Sequence, residues 1–530
     1  MAIVKKIYLF FKHQADDLQE GGLCVFFRKV KKFPQLFLLR IFAPLAVKWG
    51  IHWPKAYLFM AYKFIKQYKT TRVSHRVNRK ELEALSEKSI NYMKKYIGYK
   101  PIAANLSDWI NANNGLSFFL WDKGDINETI QSINRVMEIQ NTICREHQLD
   151  KLDIVFIPRA FAIGAIGPYE NVYSYIKAGI LGLRPPQKMI LLLEPDAQVN
   201  NRHYLNYFKQ YISIITDTRL IELLSPLEKF LAVPLGLIMP IYGKGFISHL
   251  SFGLIQEQWH KEKRTPLLTL LNTDRQRGWQ HLISLGVPQG AWFVCLHVRE
   301  SGWRDEGSIS EDYRNADINT YIPAIKAITS AGGWVIRIGD PGMKPLPEMS
   351  QVIDYAHSNI KSDWMDVFLC AECRFFIGTS SGPFTLAVAF GVPVLVTNLL
   401  PGHALYHLSS KDLFLPRLCW LEDEKRYLNF RELIAPPVGM ASSKTSFEKL
   451  HLNIVPNDAE EIKDLVIEML EKCAGKLKYS DEEENLQRCF KMMAAECGKL
   501  YGDERIVCNA RIGRYFLSRH APLLWRGQND

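Results

Sequence analysis

The feature that most constrains the fold of this 530-residue chain is a series of continuous apolar runs, each ending abruptly in small or charged residues. The runs are DIVFIP (153–158), KMILLL (188–193), AWFVCLHV (291–298), GWVIRIGD (333–340), QVIDYA (351–356), CRFFIGT (373–379) and VPVLVTN (392–398). Uninterrupted hydrophobicity is typical of strands in a parallel sheet that is covered on both faces. Helical patterns separate most of the runs, so the order predicts βαβ units.

The runs form two groups, which indicates two domains. One group flanks the glycine-punctuated helical stretch AIGAIGPYENVYSYIKAGILG (162–182), and the other lies between residues 291 and 398. A chain of this length also exceeds what one ordinary core holds. We therefore predict an α/β fold with two Rossmann-like, doubly wound domains facing a cleft, and with helical extensions at both ends of the chain.

Changes in texture along the sequence predict the domain limits. The predicted parts are a basic, aromatic-rich helical segment (1–90), a first Rossmann-like domain (91–285), a second Rossmann-like domain (286–455) and C-terminal helices (456–530). The first of these C-terminal helices has apolar residues at helical spacing from Ile462 to Leu470, and Asn457 is its predicted N-cap.

The basic character of the chain belongs to its first 80 residues. They contain seventeen Lys and Arg against three acids, a net +14, which leaves −3 for the other 450 residues because the whole chain carries +11. Charges and aromatics are interleaved, as in FFRKVKKFPQLFLLR (26–40), and this pattern predicts a surface for anionic lipid. The alternative is a solvated basic face packed on the main body. No nucleic-acid partner is predicted, since no known nucleic-acid module accompanies the charge.

The same segment and the cysteines indicate the cellular compartment of the protein. The apolar stretch 35–47 is too short for a membrane span and is interrupted by Arg40 and Pro44, and no signal-peptide cleavage site is found. The ten cysteines are scattered, and the one C-x-x-C pair, Cys370 and Cys373, is predicted to be core thiols. A reducing compartment fits such cysteines. We expect a cytoplasmic protein, peripheral on the inner face of the cytoplasmic membrane if the basic segment binds lipid.

One apolar run is interrupted by five small residues, Thr379, Ser380, Ser381, Gly382 and Pro383, before a helical pattern begins. Proline suits the first turn of a helix, where its missing N–H costs nothing. Free amides at a helix N-terminus bind anions, and ligands of open α/β sheets sit beyond the carboxyl ends of strands. The stretch is predicted to cradle a diphosphate; a hydroxyl-capped turn without a ligand is the alternative.

A second strand end becomes charged at once, in the sequence LHVRESGWRDE (296–306). His297 and Arg299 lie at its exit, and arginine is suited to bidentate phosphate recognition. Carboxylates that follow the strand are candidates for a general base, with a solvated loop as the alternative for each. They are Glu300, Asp305 and Glu306.

Acidic residues near two further strands complete the candidate site. Asp340 closes the strand end RIGDPG, and Asp363 and Asp366 precede the helix that leads into the interrupted run. Asp340 has a turn-initiating role as its alternative, and Asp363 a helix N-cap role. In the first domain, Gly164 and Gly167 would let the backbone approach a ligand, although a plain turn is the preferred explanation of this spacing.

The order of these elements resembles the inverting fucosyltransferases of the GT-B fold: HVR after a strand, an Asp-Pro turn after the next, and a strand entering an S-S-G loop. The segment GTSSGPFTLAVAFGVPVLV (378–396) is also similar to the donor loop of bacterial heptosyltransferases. Residues 270–435 most closely resemble a bacterial glycosyltransferase family linked to surface polysaccharides. Two further features of that family recur, LGVPQGAWFVCLHVRESG (285–302) and RIGRYFL (511–517).

The resemblance implies a GT-B fold in which the first domain faces the acceptor, through Gly164 and Gly167, and the second holds a nucleotide-sugar donor. It also implies that the last helices pack back on the first domain. The implied donor-site residues are His297, Arg299, Asp340, Asp366, Thr379, Ser380, Ser381 and Gly382. Glu300 departs from the pattern, because fucosyltransferases often carry a second arginine there. That departure counts against GDP-fucose as donor and leaves the base open among Glu300, Asp305 and Glu306.

The implied activity is transfer of a sugar, hexosyl or fucosyl in type, from a nucleotide-diphosphate sugar to a hydroxyl of a carbohydrate or lipid-linked acceptor, with inversion. Arg299 and the loop amides would stabilise the leaving diphosphate, while a carboxylate takes the acceptor proton. The scheme needs no metal, and no cofactor besides the nucleotide-sugar co-substrate. Two alternatives remain open: a nucleotide-sugar epimerase of similar build, and a non-catalytic, membrane-associated nucleotide-binding protein.

Overall fold

The computed structural model describes residues 43–44, 54–73, 79–98, 106–233, 238–300, 313–400, 402–441 and 443–525. The chain divides into two compact units. One comprises Met1–Thr71 and Arg76–Lys100, and the other comprises Arg72–His75 and Pro101–Asp530. Most of residues 1–80, and with them most of the predicted lipid surface, lie outside the described residues.

The first unit is described by two helices, α1 (Pro54–Val73) and α2 (Arg79–Ile97). Aromatic rings hold them together: Phe64 of α1 stacks on Tyr92 of α2, with ring centroids 5.6 Å apart. The ammonium group of Lys88 lies 5.4 Å from the centroid of the Phe64 ring, which lets a charged side chain cover an aromatic one. Among the described residues, no helix is both long and apolar enough to cross a bilayer.

The second unit contains two parallel α/β sheets. The smaller one is built from β1 (Ile154–Phe156), β2 (Lys188–Leu192) and β3 (Ile212–Ile215), which pair in chain order. The helix α6 (Tyr169–Ile180) runs between β1 and β2, and nearly all of its residues are buried. The short helix α5 (Ala160–Ile163) precedes it. The glycine-punctuated stretch therefore forms two helices with a loop between them at the carboxyl end of β1.

In the part of the chain that the structure describes, the larger sheet has seven strands, and all of them are parallel. In spatial order they are β15 (Arg511–Ile512), β11 (Leu413–Pro416), β10 (Val394–Leu399), β9 (Phe376–Thr379), β6 (Phe293–His297), β7 (Trp334–Arg337) and β8 (Val352–Ile353). From β6 the chain winds outward through β7 and β8, and from β9 it winds the other way through β10 and β11. The reversal between β6 and β9 is a topological switch point, where open α/β sheets bind ligands.

The described residues of the second unit also form helices and two small antiparallel sheets. The helices ahead of β6 are α3 (Leu106–Lys123), α4 (Ile126–Glu146), α7 (Arg202–Tyr207), α8 (Thr218–Leu231), α9 (Ser248–Lys261) and α10 (Asn272–Ser284). Those after β6 are α11 (Ile322–Ser330), α12 (Asp363–Glu372), α13 (Gly382–Ala389), α14 (Phe430–Ile434), α15 (Lys444–Lys449), α16 (Ala459–Cys473), α17 (Asp481–Lys499), α18 (Arg514–Arg519) and α19 (Pro522–Trp525). The antiparallel strands are β4 (Ile238–Ile241), β5 (Lys244–Ile247), β12 (Leu418–Leu421), β13 (Arg426–Tyr427) and β14 (Leu452–Val455).

The predicted fold class is confirmed: two Rossmann-like α/β layers face one cleft, with helices at both ends of the chain, which is the GT-B arrangement. The predicted strands match β1, β2, β6, β7, β8, β9 and β10 within a few residues. The central strands are fully buried, since every residue of β6, β9 and β10 is buried. Continuous hydrophobicity was therefore a sound signal for strands covered on both faces.

The C-terminal residues contact both halves of the second unit. The helix α16 packs against α11 and β11, and β15 adds an edge strand beside β11. The ring of Tyr501 lies 6.2 Å from that of Trp121 on α3. The limits of the predicted domains remain predictions.

One predicted cap is wrong. The N-cap of α16 is Asp458, whose side chain accepts from the Glu461 amide in a capping box. Asn457 instead uses its side chain at the strand ends, accepting from the Asn398 amide at 2.6 Å and donating to the Pro416 carbonyl at 2.9 Å. Both residues are good N-caps by type, and the tertiary contacts of Asn457 decide between them.

Candidate functional site

A cavity of about 560 Å³ opens at the switch point between β6 and β9, within the size range of small-molecule sites. Loops of both sheets line it. The predicted site residues in its wall are Gly167, His297, Arg299, Asp340, Asp366, Ser381 and Gly382, joined by Asp363. Residues that the sequence did not single out also line it, among them Ile166, Asn200, Asn201, Arg314 and Lys361.

Other predicted residues lie elsewhere. Gly164, Glu300, Thr379 and Ser380 do not line the cavity, although each adjoins it in sequence or through a hydrogen bond. Gly164 ends α5, and a Cβ at this position would lie 2.8 Å from the Ala160 carbonyl oxygen. Asp305 and Glu306 lie outside the described residues.

The ends of β6 and β9 are joined by a hydrogen bond from the backbone amide of Arg299 to the hydroxyl of Thr379, 3.1 Å long. Thr379 is fully buried, and Arg299 is only 8% exposed. A buried amide at a strand end needs a partner, because an unsatisfied one costs about 1–3 kcal/mol. The threonine hydroxyl therefore fixes the backbone that carries Arg299 against the loop that follows β9.

The loop after β9 leads into α13, an eight-residue helix whose N-cap Ser381 makes no side-chain capping bond. The N–H groups of a helix's first turn have no intrahelical partner, so they present partial positive charge at the cavity wall. Pro383 occupies the first turn, and Thr385 donates to the Gly382 carbonyl at 2.7 Å. This is the geometry of an anion-binding helix start.

Gly382 touches the loop of the other sheet. A Cβ at Gly382 would lie 2.9 Å from the Gly167 amide nitrogen and 2.7 Å from Cγ2 of Ile166. Cβ atoms are essentially never found so close to backbone atoms, so the approach of the two loops requires glycine here.

Arg314 contributes a guanidinium to the cavity wall, and the sequence analysis missed it. Its Nε donates to the Ser380 carbonyl at 3.2 Å, and its Nη2 donates to the same oxygen. The Ala316 amide donates to the Arg299 carbonyl at 2.9 Å, which keeps the segment around Arg314 beside the end of β6. No motif marks this arginine in the sequence, because only the pairing of residues 314 and 380 across the fold reveals it.

Glu300 points away from the cavity. Its carboxylate accepts from Nη2 of Arg337 at 3.3 Å and from the Lys344 amide at 3.0 Å. The Arg337 side chain is 0% exposed and also donates to Asp354 at 3.0 Å. A buried guanidinium needs such partners. Glu300 therefore neutralises Arg337 and anchors the loop that follows β7.

The three aspartates of the wall have different partners. Asp340 accepts from the Gly342 amide at 2.9 Å, as expected of a turn-initiating residue. Asp363 is not an N-cap, since Ser362 holds that position and the Asp363 carboxylate accepts from the Arg202 amide at 3.1 Å. That bond ties the start of α12 to α7, on the wall contributed by the smaller sheet.

Asp366 and Lys361 form an ion pair in the wall, with Nζ 3.2 Å from Oδ2. Burial raises the pKa of Asp366, and the positive charge of Lys361 opposes that shift. The pair supplies a carboxylate acceptor and an ammonium donor side by side, a combination suited to polar groups of a ligand.

His297 stands at the end of β6 with 5% of its surface exposed, and its Nδ1 has no hydrogen-bond partner among the described residues. Burial, followed by the positive charges of Arg337, Arg299 and Lys361, lowers the pKa of His297 to about 3. The imidazole is therefore neutral at pH 7 and offers a buried polar atom to whatever fills the cavity. An orphaned buried nitrogen in a cavity wall indicates a ligand site.

No family model matches this chain, and no curated protein matches it. Solved structures do match. A family 9 glycosyltransferase from Veillonella parvula is 10% identical, with 50% of this chain and 85% of that one covered and a TM-score of 0.32. The iron-containing dodecameric glycosyltransferase TibC from enterotoxigenic E. coli is 14% identical, with coverages of 47% and 59% and a TM-score of 0.28.

The E. coli ADP-heptose lps heptosyltransferase II is 10% identical, covers 50% of this chain and 90% of its own, and has a TM-score of 0.29. All three TM-scores lie below 0.5.

We expect replacement of His297 by glutamine to weaken the pH dependence of stability. The unfolded imidazole has a pKa near 6.5 and binds a proton between pH 7 and pH 5, whereas the folded one, with a pKa of about 3, stays neutral. Stability is therefore lost as the pH falls, by about 2 kcal/mol over this range for this group. Urea unfolding at pH 7 and pH 5 measures the loss in wild type and in His297→Gln. His147→Gln removes an exposed imidazole as the control; equal losses in all three proteins would refute the expectation.

Glu300→Gln is expected to lower the free energy of unfolding by about 1–3 kcal/mol, because the fully buried Arg337 guanidinium loses one of its two carboxylate partners. Thermal and urea denaturation at pH 7 measure this. Glu348→Gln, which changes an exposed glutamate, serves as the control. If both variants have wild-type stability, the network around Arg337 does not depend on the Glu300 charge.

Proposed function

We propose that this protein is a glycosyltransferase that moves a sugar from a nucleotide-diphosphate sugar to an acceptor hydroxyl. One observation carries the proposal: at a switch-point cavity, the Arg299 amide is hydrogen-bonded to Thr379 at the end of β9, and the loop that follows leads into the start of α13, whose N-cap side chain makes no capping bond. A guanidinium and a row of helix N-terminal amides are both suited to phosphate oxygens. Together they form a subsite for the diphosphate of a donor.

The chemistry would be electrostatic. Negative charge grows on the diphosphate as the sugar–oxygen bond breaks, and Arg299 with the amides of residues 381–382 would stabilise it. The sugar becomes oxocarbenium-like, and the acceptor hydroxyl attacks the opposite face, with inversion. A carboxylate takes the acceptor proton. The binding of Glu300 by Arg337 and Lys344 favours Asp305 or Glu306 for this role.

The two walls of the cavity support different tasks. The wall of the larger sheet is charged, through Arg299, Arg314, Lys361 and Asp366, which suits a nucleotide. The wall of the smaller sheet, around Gly167, consists of small, apolar and amide residues, which suits the hydroxyls of a carbohydrate or lipid-linked acceptor. In this scheme His297, Asp340 and Asp366 contact the nucleoside part of the donor, and no metal takes part. Synthesis of surface polysaccharide or glycolipid is the proposed setting.

The diphosphate subsite is tested by titration calorimetry with ADP, GDP, UDP and CDP. Arg299→Ala is expected to weaken the best of these by about 10- to 100-fold, since a charge-assisted hydrogen bond contributes about 1.5–3 kcal/mol. Arg374→Ala is the control, because that arginine stacks on the Trp292 ring and does not line the cavity.

If none of the four diphosphates binds wild type, or if Arg299→Ala binds as tightly as wild type, the proposed function is wrong.

Incubation of wild type with the nucleotide sugars of the best-binding diphosphate distinguishes the three candidate activities. A transferase releases free sugar slowly without an acceptor, an epimerase converts the donor itself, and a binding protein does neither.

A lipid-linked acceptor and the basic N-terminal segment would both place the protein at a membrane surface. We therefore include peripheral binding to anionic lipid in the proposal. In the described part of that segment, Lys55 and Lys63 of α1 are exposed, as is Tyr62. Lysines near an anionic surface contribute about 1 kcal/mol each.

Reversal of these two charges, in Lys55→Glu with Lys63→Glu, is expected to weaken co-sedimentation with phosphatidylserine-containing vesicles by roughly tenfold or more. The matched control is Lys209→Glu with Lys263→Glu, two exposed lysines of the second unit. Equal binding of the two double variants to the anionic vesicles would contradict a lipid role for the segment. So would wild-type binding to neutral phosphatidylcholine vesicles that is as strong as its binding to the anionic ones.

A further inference from the structure

We propose that Arg314 is a second diphosphate-binding residue, which acts together with Arg299 across the start of α13. The inference rests on the proposed function, since it assigns a role within the same donor subsite. Nothing in the sequence pattern marks this arginine. The evidence for this role is the position of its guanidinium in the fold.

The two arginines are attached to consecutive residues of one loop. The Arg299 amide donates to Thr379 at 3.1 Å, and the Arg314 guanidinium donates to the carbonyl of the next residue, Ser380. The residues that follow, Ser381 and Gly382, begin α13 and line the cavity. The two guanidinium-bearing residues therefore flank the same helix start, where the anionic group of a donor would lie.

The backbone around Arg314 is held from two sides. Arg417, itself 4% exposed, donates to the carbonyls of Tyr313 and Asn315, each at 2.5 Å. The Ala316 amide bonds to the Arg299 carbonyl at 2.9 Å. Bonds immediately before and after Arg314 fix its position, as expected of a group that must meet a ligand in one geometry.

Few cations of the wall are placed to meet a diphosphate. Among the described cavity-lining residues the cations are Arg299, Arg314 and Lys361 and the carboxylates are Asp340, Asp363 and Asp366, and Lys361 lies 3.2 Å from the Asp366 carboxylate. His297 is neutral at pH 7 because its pKa is lowered to about 3. A nucleoside diphosphate carries more than one negative charge, so Arg299 alone would leave it poorly matched in a partly desolvated site. Arg314 supplies the second positive charge beside the same loop.

Glu300 removes an obstacle to that arrangement. It is the residue next to Arg299, and a carboxylate facing the cavity would repel a diphosphate. Its contacts with Arg337 and the Lys344 amide direct the negative charge toward a buried guanidinium instead. Glu300 therefore does not line the cavity beside Arg299 and Arg314.

The test compares ligands that differ only in phosphate. Wild type, Arg314→Gln and Arg314→Lys are titrated with the best-binding nucleoside diphosphate, with its nucleoside and with inorganic pyrophosphate. Arg314→Gln is expected to weaken the diphosphate and pyrophosphate by about 10- to 100-fold and to change the nucleoside by less than about twofold. Arg314→Lys keeps the charge without the bidentate fork, so it is expected to recover part of the affinity. Added salt should weaken diphosphate binding less in Arg314→Gln than in wild type.

Arg184→Lys is the control for a loss of stability alone. Arg184 is buried and donates to the carbonyls of Tyr175 and Pro185, each at 2.9 Å, but it does not line the cavity. We expect it to leave the affinity for the diphosphate unchanged, whatever it does to the melting temperature.

An equal fall in affinity for nucleoside and diphosphate in Arg314→Gln would show that Arg314 only shapes the loop, and would overturn the inference. So would unchanged diphosphate binding in Arg314→Gln together with a loss in Arg299→Ala, a result that leaves the proposed function intact. If no diphosphate binds wild type, the proposed function itself fails, and Arg314 has no subsite to belong to.

Discussion

The hydrogen bond between the Arg299 amide and the Thr379 hydroxyl holds together two strand ends from which the chain winds in opposite directions. A reversal of winding leaves a gap above the sheet, because the connections leaving β6 and β9 diverge. The groups proposed to bind the diphosphate all lie near this junction: Arg299 just after β6, the start of α13 just after β9, and Arg314 hydrogen-bonded to the Ser380 carbonyl between β9 and α13.

The fold was largely predictable, because the burial of a parallel sheet on both faces leaves an unmistakable pattern of apolar runs. The proximity of Arg299 to the loop at Ser381 and Gly382 was predictable for a related reason. Carboxyl ends of parallel strands meet at one edge, so residues at different strand ends converge whatever their separation in sequence. The cavity residues found this way are those that directly follow strands.

Residues that depend on a single tertiary contact were not predictable. Arg314 lies in a segment without helical or strand periodicity, and only its bonds to the Ser380 carbonyl bring it to the site. The orientation of Glu300 is decided by its hydrogen bond with Arg337. The apolar run indicated that Arg337 is buried within β7, but it did not indicate that the buried guanidinium needs a carboxylate partner. Asn457 lost its expected cap role to Asp458 for the same reason, a competing contact with Asn398. Local sequence therefore determines where the strands and helices form, whereas hydrogen bonds between residues far apart in sequence determine which of several suitable side chains takes a given role.

The contact between Gly382 and Gly167 adds a constraint on how the site can change shape. The start of α13 follows a strand of the larger sheet and Gly167 lies in a loop of the smaller one, and Gly382 allows their backbones to come within a distance that a Cβ at residue 382 would not permit. A group bound by the amides at the start of α13 therefore lies directly beside the loop of the other sheet. Donor and acceptor would not need a large movement of either sheet to meet. The chemistry proposed here depends on close placement of two substrates more than on any single reactive side chain, and Gly382 is where the fold provides that closeness.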